Sequence, residues 1–350
     1  MKVLLIELGE SHDDGLVSWI RTLEECGVKN VAVACTPNVH NRIRFSGVFH
    51  WVPTSRSKSL LRRISTILAV RRYVRRNNIT HCVVNTASGT YALMLLAAIP
   101  KRCKRVGILH FVRSLTHSTT QQRISRLVQQ YVVISPHLLE IAPKKTPVPI
   151  SAVPQTARLT ETHEPHTHTI RVAIPGAVDA RRRAYRDVFC DAVMDNIPPS
   201  IQFHVVGNAG SEQDPSRQWF YEILAPYKGR VRLHSTYLTH EDYHAGIAQC
   251  HAVLPLIHPG TVEYADFMND KSSGAFTLAW TYGKPLFLER GFEKFRFLHH
   301  GTMFYDVENL VAALNVLAAG SPVMQRVRDC AQTPICNDAM RRTATMAVLS

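Results

Sequence analysis

Short apolar runs alternate with amphipathic stretches in the first part of this 350-residue chain. The first run, Lys2–Leu8, is followed by a polar loop at 9–15 and an amphipathic segment near Leu16–Cys26. Parallel sheets bury both faces of such apolar runs, and amphipathic segments with a period of about 3.6 residues pack on those sheets as helices. The same pattern predicts further strands at 28–34, 80–84, 106–110 and 131–134, and helices at 60–76 and 88–99.

A second series of the same kind follows a segment at 143–169 that contains five prolines. Such a segment is typical of an interdomain crossing. Beyond it, strands are predicted at 170–174, 202–206, 231–233, 252–255 and 285–288, with helices near 185–194, 242–249 and 275–282. Alternating strands and helices indicate an α/β fold with two tandem Rossmann-like domains that face each other across a cleft. We predict an N-terminal domain at 1–155, a linker at 156–169, a C-terminal domain at 170–320 and a helical segment at 321–350.

The most specific segment lies in the second series. Residues 271–274, Lys-Ser-Ser-Gly, begin a helix that runs to the turn Gly-Lys-Pro at 283–285. Free N–H groups and the helix dipole attract phosphate to such a helix start, and small residues allow a close approach. The sequence therefore predicts a phosphate site, to which Lys271 adds a positive charge. An ordinary loop with a capping serine is the alternative.

These segments resemble the GT-B glycosyltransferases. Residues 272–285 match the Ser-Ser-Gly, apolar helix and Gly-Lys-Pro pattern of one branch of that family. Residues 174–185 are similar to the first strand and glycine turn of its donor domain, and residues 132–135 to the last strand of its N-terminal domain. The resemblance implies a nucleotide-sugar donor, such as a UDP-sugar, bound by the C-terminal domain. It also implies no metal and no other cofactor, because the helix dipole and basic side chains stabilise the leaving group.

The resemblance assigns a set of donor-binding residues and also shows a departure from the family. The set is Gly176, Arg182, Arg183, Glu263, Tyr264, Asp270, Lys271, Ser272, Ser273 and Gly274. Many retaining members carry Glu-x7-Glu, but the two glutamate positions hold Asp270 and Leu278 in this chain. The carboxylate that would bind the donor ribose is thus missing, and Glu263 and Glu289 are the candidates to replace it. The departure leaves the nucleotide and the stereochemical outcome open.

Candidate catalytic residues lie in the N-terminal series. Glu10, His12 and Asp13 fall in the loop after the first strand, where an inverting transferase needs a group to take the proton of the acceptor hydroxyl. His110 ends another strand, where the resemblance implies a histidine beside the transferred sugar. The alternatives are helix-capping acids on an exposed loop and a histidine at the edge of the core.

Positive charge is concentrated in the N-terminal half. Eighteen lysines and arginines and no acidic residue lie between Glu25 and Glu140. Residues 1–150 contain 22 basic and 7 acidic residues, whereas the remainder contains 19 and 20. This asymmetry predicts an anionic partner for the N-terminal half.

The helix at 60–76 contains much of this charge. One broad face is predicted to hold Leu60, Leu61, Ile64, Ile67, Leu68 and Val74, although Arg71 and Arg75 intrude on it. The arginines off this face are Arg62, Arg63, Arg72 and Arg76. We expect them to contact an anionic membrane surface, at about 1 kcal/mol for each side chain. A packed sheet helix with a solvated basic side is the alternative.

Composition narrows the class of protein further. The eight cysteines have neither Cys-x-x-Cys nor metal-finger spacing, so we expect reduced thiols in a cytosolic protein. The linker contains three histidines, His163, His166 and His168. We interpret them as ordinary polar residues of the linker and not as metal ligands. The first residues do not resemble a signal peptide, and the longest uncharged apolar stretch, Tyr91–Ile99, is too short to span a bilayer.

The sequence therefore predicts a glycosyltransferase that moves a sugar from a nucleotide sugar to a saccharide acceptor. We expect a lipid-linked acceptor, a role in cell-surface polysaccharide or glycolipid synthesis, and a cytoplasmic protein that is peripheral on the inner face of the membrane. One alternative is a nucleic-acid-binding protein that uses the basic half. The absence of RNP-like aromatic residues and of finger or helix-turn-helix spacing argues against a nucleic-acid partner. The other alternative is a two-domain sugar-nucleotide epimerase.

Overall fold

The computed structural model describes all residues except 11, 44–46, 48, 56–58, 145, 156–168 and 333–337. Most of the predicted linker therefore lies outside the described residues, as do His163, His166 and His168. The chain divides into two compact units. The first comprises residues 1–157, 269–272 and 336–350, and the second comprises residues 158–268 and 273–335.

The first unit is built on a parallel sheet of seven strands. They are β1 (Lys2–Ile6), β2 (Asn30–Cys35), β3 (His50–Pro53), β4 (His81–Val84), β5 (Lys104–Leu109), β6 (Gln130–Val133) and β7 (Ile150–Ala152). The order across the sheet is β3-β2-β1-β4-β5-β6-β7. In β1, Val3, Leu4, Leu5 and Ile6 are all completely buried. Burial on both faces explains why this strand is continuously apolar.

Helices cover this sheet. They are α1 (Asp13–Glu25), α2 (Pro37–Ile43), α3 (Leu60–Arg76), α4 (Gly89–Ala98), α5 (Ser114–His117), α6 (Thr119–Ser125) and α7 (His137–Ile141). The apolar side chains of α3, α4 and α6 form one core with those of β1, β4 and β6. The polar loops at the carboxyl ends of β1, β4 and β5 are therefore held by a rigid support.

The second unit repeats the plan with six parallel strands. They are β8 (Ile170–Pro175), β9 (Ile201–Asn208), β10 (Val231–His234), β11 (Ala252–Val253), β12 (Leu286–Glu289) and β13 (Thr302–Tyr305). The order across the sheet is β10-β9-β8-β11-β12-β13. The registers of Ile174 with Val205 and of Ala173 with Val253 align the carboxyl ends of β8, β9 and β11.

The helices of the second unit and the last helix complete the chain. They are α8 (Tyr185–Val188), α9 (Asp191–Met194), α10 (Gln218–Leu224), α11 (His240–Ala248), α12 (Tyr264–Asn269), α13 (Gly274–Thr281), α14 (Leu310–Ala318), α15 (Pro322–Gln332) and α16 (Asp338–Leu349). Short 3₁₀ segments lie at Ala225–Arg230, Arg290–Lys294, Arg296–His299 and Val307–Asn309. Although α16 ends the sequence, it packs on α1 in the first unit, where buried Arg341 binds Glu25 at 2.6 Å.

The α/β fold class with two parallel sheets is confirmed, and each strand that the sequence predicts is present. Three strands were not predicted: β3, β7 and β13, each of which lies at an edge of its sheet. One predicted helix was wrong. Residues 185–194 form two short helices, α8 and α9, because the backbone at Cys190 is extended.

The prediction for α3 has the correct ends, but only Ile67 and Val74 of the six residues on its predicted apolar face are buried. The side chains packed inward are Ile67, Val70 and Val74. Leu60, Leu61, Ile64 and Leu68, which the sequence placed on the buried face, are exposed. The apolar arc is wider than the strip of helix that the sheet can cover, so part of it remains outside. Of the four arginines assigned to a membrane surface, Arg62, Arg72 and Arg76 are exposed, and Arg63 lies 5.3 Å from the centre of the Tyr91 ring.

No single helix among the described residues is both long and apolar enough to cross a bilayer. Residues Val307–Ala318 and Pro322–Ala331 meet the length and composition criteria only when taken as a pair, and the two helices of that pair are bent by 84°.

Candidate functional site

A buried carboxylate lies just beyond the carboxyl end of β1. Glu7 is completely buried, and its Oε1 accepts the backbone N–H of Gly9 at 2.6 Å. Its Oε2 accepts the side-chain amide of Asn85 at 2.7 Å and the hydroxyl of Thr86 at 3.0 Å. These three hydrogen bonds replace the water that the carboxylate loses on burial. Glu7 therefore holds the loop after β1 against the loop after β4.

Two histidine rings stack at this end of the sheet. His12, the residue before α1, and His110, the residue after β5, have ring centroids 3.8 Å apart and planes inclined by 19°. Asn85 contacts both residues, because its side-chain amide donates to the backbone oxygen of His12 at 2.6 Å and its backbone oxygen lies 2.8 Å from Nε2 of His110. The loops after β1, β4 and β5 thus bring together two of the four predicted catalytic residues.

The two stacked histidines differ in burial, and burial determines the protonation of His110. Burial lowers the pKa of His110 to about 3, with a smaller contribution from His12 in the same direction. A carbonyl oxygen only accepts hydrogen bonds, so Nε2 of His110 carries the proton that it donates to Asn85. His110 is therefore neutral near pH 7. His12, in contrast, is only partly buried.

The other two predicted catalytic residues contact the neighbouring helix. Oε1 of Glu10 accepts the hydroxyl of Thr36 at 3.2 Å and the side-chain amide of Asn38 at 3.4 Å. Oδ2 of Asp13 forms an ion pair with Nε of Arg42 at 2.6 Å. Arg42 also donates to the backbone oxygen of Glu10 at 2.6 Å. Both acids thus fasten the loop after β1 to the segment that contains α2.

The loop that contains Asp270 and Lys271 belongs to the first unit, although it lies late in the sequence. The backbone N–H of Val112 donates to the backbone oxygen of Asp270 at 3.0 Å, and that of Arg113 donates to Oδ1 of Asp270 at 2.7 Å. A backbone hydrogen bond joins Lys271 to His137, and burial lowers the pKa of His137 to about 4. The loop is thus held by the segments that follow β5 and β6.

The predicted phosphate segment divides after Ser272, which groups with the first unit, whereas Ser273 groups with the second. The hydroxyl oxygen of Ser273 caps α13 by accepting the N–H of Ala275 at 3.3 Å. Gly274, the first residue of α13, is exposed. Ser273 thus binds the N–H groups of Ala275 and Phe276, and the exposed first residue of α13, Gly274, has no side chain to block the approach of a ligand.

A buried guanidinium lies at the carboxyl ends of the strands in the second sheet. Arg183 is only 8% exposed, and its Nη1 donates to the backbone oxygen of Pro255, which follows β11. Within the part of the chain that the structure describes, no carboxylate forms an ion pair with Arg183. Burial lowers the pKa of the guanidinium, because a buried charge loses its hydration and the charge of nearby Asp179 offsets only part of that loss. An anionic ligand would offset this cost.

Two glycines bring the ends of β8 and β9 together beside this guanidinium. Gly176 and Gly207 have φ angles of 101° and 153°. A Cβ atom on Gly207 would overlap the backbone oxygen of Gly176, and a Cβ atom on Gly176 would lie 2.8 Å from Nη2 of Arg183. The glycine turn predicted for the donor domain is thus in direct contact with one of the two predicted arginines.

A tyrosine and a glutamate meet at the end of β12. The hydroxyl of Tyr264 donates to Oε2 of Glu289 at 2.7 Å. Burial and this hydrogen bond raise the pKa of Tyr264. A Cβ atom on Gly291 would overlap the tyrosine hydroxyl, so only glycine fits there. Glu263, in contrast, forms an ion pair with Arg182 at 3.4 Å. Of the two glutamates considered for the ribose, Glu289 thus contacts a neutral hydroxyl, whereas Glu263 contacts a cation.

A buried histidine in the second unit was not predicted. Nδ1 of His258 lies 2.6 Å from Oδ2 of Asp187, and its Nε2 lies 2.6 Å from the hydroxyl of Tyr305. His258 is completely buried and joins the segment after β11 to α8 and β13.

The sequence analysis also missed Glu7 and Asn85. The available signal was a single polar residue directly after an apolar strand, which places it at the edge of the sheet where ligands bind. His258 carries the same signal, because it ends the apolar run at 252–257. The sequence alone does not tell which of these residues contact one another.

Among the described residues, no group of three or more His, Cys, Asp and Glu side chains is arranged to hold a metal ion. The polar groups at the carboxyl ends of the second sheet include the guanidinium of Arg183, a hydrogen-bond donor.

Among known proteins, solved structures are similar to this chain, whereas family models and curated sequences are not. No protein-family model matches the chain, and no curated protein sequence matches it. The structure of Anabaena Alr3699/HepE in complex with UDP has a TM-score of 0.68 and 14% identity, covering 100% of this chain and 99% of that one. The apo form of the lipopolysaccharide outer core galactosyltransferase WaaB has a TM-score of 0.62 and 15% identity, covering 100% and 99%.

An epimerase structure is also similar. The putative UDP-N-acetylglucosamine 2-epimerase from Listeria monocytogenes has a TM-score of 0.65 and 11% identity, covering 99% of this chain and 95% of that one. At these identities the likeness establishes the fold, which is the GT-B fold of two Rossmann-like sheets.

Proposed function

We propose that the protein is a glycosyltransferase that transfers a sugar from a UDP-sugar to a saccharide acceptor. The observation that carries the proposal is the buried guanidinium of Arg183, which has no carboxylate partner among the described residues. It lies where open α/β sheets bind their ligands, at the carboxyl ends of the strands. The similar HepE structures contain UDP or UDP-glucose. The negative charge of such a diphosphate would pair with the positive charge of Arg183.

We propose that the diphosphate contacts Arg183 and the start of α13, both in the second unit. The helix N-terminus offers a partial positive charge and, at Gly274, a close approach to the backbone. The glycine turn at Gly176 and Gly207 leaves room for phosphate oxygens to approach the backbone. These groups stabilise the leaving UDP without a bound metal, so neither a metal nor another cofactor is part of the proposal.

We assign the ribose of the donor to Glu289. Its carboxylate accepts the Tyr264 hydroxyl at one oxygen, which fixes its orientation, and a carboxylate oxygen can accept a further hydrogen bond from a ribose hydroxyl. Glu289 thus takes the place of the missing family glutamate. Glu263 is engaged by Arg182 and is therefore the weaker candidate.

We assign the base to His12. An inverting transfer needs a group that takes the proton of the acceptor hydroxyl as the new glycosidic bond forms. His12 is partly exposed and is held in place by its stacking on His110 and by the contact of its backbone with Asn85. Since Glu10 and Asp13 contact the segment that contains α2, we propose structural roles for both acids.

We propose that the acceptor is a lipid-linked saccharide and that the enzyme acts at the cytoplasmic face of a membrane in cell-surface polysaccharide or glycolipid synthesis. The basic first half supports this, because anionic lipid attracts lysine and arginine. The similarity to WaaB, a lipopolysaccharide galactosyltransferase, fits the same acceptor class.

Incubation with UDP-sugars tests the proposal. We expect UDP release that increases when a lipid-linked saccharide acceptor is added, with the sugar recovered on the acceptor. The second candidate, a sugar-nucleotide epimerase, is favoured by the similarity to the Listeria protein. Conversion of UDP-N-acetylglucosamine without any acceptor, together with no transfer of sugar, would contradict the transferase and support the epimerase.

A further inference from the structure

One side of α3 exposes a group of large apolar side chains. The exposed fractions are 60% for Leu60, 79% for Leu61, 37% for Ile64 and 52% for Leu68. At about 100° per residue, the four positions fall within roughly 100° of the helix circumference. They lie outside the buried strip, so the attachment of α3 to the sheet does not use them.

Three arginines continue the same side of the helix toward its C-terminus. Arg71, Arg72 and Arg75 are all exposed. Their positions fall within the same sector as the apolar residues, to within about 20°. We call the seven residues the α3 stripe: Leu60, Leu61, Ile64, Leu68, Arg71, Arg72 and Arg75. The stripe is apolar in its first half and basic in its second.

The two halves together define the chemistry of a partner. Large exposed apolar groups in a cluster are typical of surfaces that bind another apolar phase. No acidic residue lies between Glu25 and Glu140, so no carboxylate on α3 or its neighbouring segments offsets the three arginines. A second copy of the chain would bring the same positive charges into the contact. A nucleic acid would satisfy the arginines and leave the leucines in water.

We infer that the α3 stripe binds an anionic lipid bilayer, with Leu60 and Leu61 in the boundary between headgroups and acyl chains and the arginines at the lipid phosphates. Amphipathic helices with leucine on one side and arginine beside it lie in the membrane interface in this way. The inference rests on the proposed membrane location and names the surface responsible for it, which contains none of the residues assigned to the donor or to the proton transfer.

Vesicle binding of the full chain tests the inference. We expect binding to vesicles of phosphatidylcholine mixed with phosphatidylglycerol, weakening as salt is raised, and little binding to phosphatidylcholine alone. The double variant Leu60→Gln/Leu61→Gln should bind roughly tenfold or more weakly, because less apolar surface enters the bilayer. The triple variant Arg71→Gln/Arg72→Gln/Arg75→Gln should bind roughly a hundredfold more weakly.

Matched controls come from exposed residues of the second unit. Tyr237 and Val262 are 80% and 69% exposed, so Tyr237→Gln/Val262→Gln removes comparable apolar surface. Arg186, Arg232 and Arg326 are also exposed, so their replacement by Gln removes the same net charge. Both controls should bind vesicles like the wild type. All variants should bind UDP like the wild type, so a failure of docking is separate from a failure of the transferase proposal.

Three results would overturn the inference. One is equal vesicle binding by the stripe variants and their controls. Another is salt-sensitive binding to DNA or RNA with none to the anionic vesicles. The third is a dimer in sedimentation experiments that Leu60→Gln/Leu61→Gln converts to a monomer, without any binding of wild type to vesicles, because the stripe would then be a contact between copies.

Discussion

At the residue scale, the polar groups around β1 differ in burial and therefore in the roles that we assign to them. Glu7 and Asn85 are almost completely buried and make hydrogen bonds within the protein, so they position the loops after β1 and β4. His110 is buried and neutral, and it supports the ring of His12 from one side. His12 is the partly exposed member of this group, so the proposed proton transfer depends on it.

Substitution of His12 separates this assignment from the one based on the acidic residues. We expect His12→Ala to lower kcat by about a hundredfold or more, because removal of a general base has effects of this size. Asp13→Asn is the matched control, because it removes the neighbouring charge and the ion pair with Arg42. We expect that variant to lose at most about 1 kcal/mol of stability and little activity. The reverse pattern in steady-state kinetics would identify Asp13 as the base.

Buried histidines make stability depend on pH. Burial lowers the pKa of His110 and His204 to about 3 and that of His137 to about 4, from an ordinary value of 6.5. Below pH 6.5 the unfolded chain therefore binds protons at these sites that the folded chain does not bind. The free energy of unfolding should fall by about 1.4 kcal/mol per histidine for each pH unit below about 6.5.

Denaturant unfolding at about pH 7.5 and about pH 5.5 measures this loss. His204 lies in the second unit, outside the proposed site, so His204→Gln serves as the informative variant. The difference in free energy of unfolding between the two pH values should be smaller in His204→Gln by about 1.4 kcal/mol. An unchanged difference would show that folding does not lower the pKa of His204.

At the element scale, apolar pattern and position in the sheet decided which strands could be predicted. Central strands such as β1 and β8 are apolar runs buried on both faces, and the sequence shows them clearly. The edge strands β3, β7 and β13 are short and partly exposed, so their pattern resembles that of loops. Edge pairing depends on a neighbouring strand that is distant in sequence, which a local pattern does not reveal.

The α3 helix shows a second limit of the same kind. Its bounds follow from the helical pattern, but the choice of buried face depends on how wide a strip the sheet covers. Ile67, Val70 and Val74 lie in the strip that the sheet covers, whereas Leu60 and Leu61 lie outside it. The membrane prediction for this helix rested on Arg62, Arg63, Arg72 and Arg76, of which only Arg72 lies on the side that exposes the leucines.

The contact between β8 and β9 is a sensitive point of the second unit. We expect Gly207→Ala to lower the free energy of unfolding by about 2 kcal/mol or more, because its Cβ would overlap the backbone oxygen of Gly176 and its φ is positive. Gly229→Ala is the control, since a Cβ at Gly229 meets no atom within 4 Å. Chemical denaturation of both variants measures the difference. Equal stability would show that the strand ends separate at little cost.

At the scale of the whole molecule, the fold was predictable and the site only partly so. Alternating strands and helices indicate two Rossmann-like units, and the segments at 174–185 and 272–285 indicate the donor domain. The contacts of Glu7, Asn85 and His110 join loops that are far apart in sequence, so no local motif contains them.

The fold itself is compatible with more than one activity. Transferases and a putative epimerase share it at similar TM-scores, so function has to be argued from the residues at the strand ends. Both enzyme classes handle nucleotide sugars. Binding of a nucleoside diphosphate at the second sheet is therefore the claim on which the account depends.

Titration calorimetry with UDP tests that claim most directly. We predict that UDP binds the wild-type chain and that Arg183→Lys weakens binding at least about tenfold, or 1.4 kcal/mol, through loss of charge-assisted hydrogen bonds to the diphosphate. Lys144→Ala, which removes an exposed lysine outside the proposed site, should bind UDP like the wild type. Absence of UDP binding, or equal affinity in all three proteins, would contradict the account.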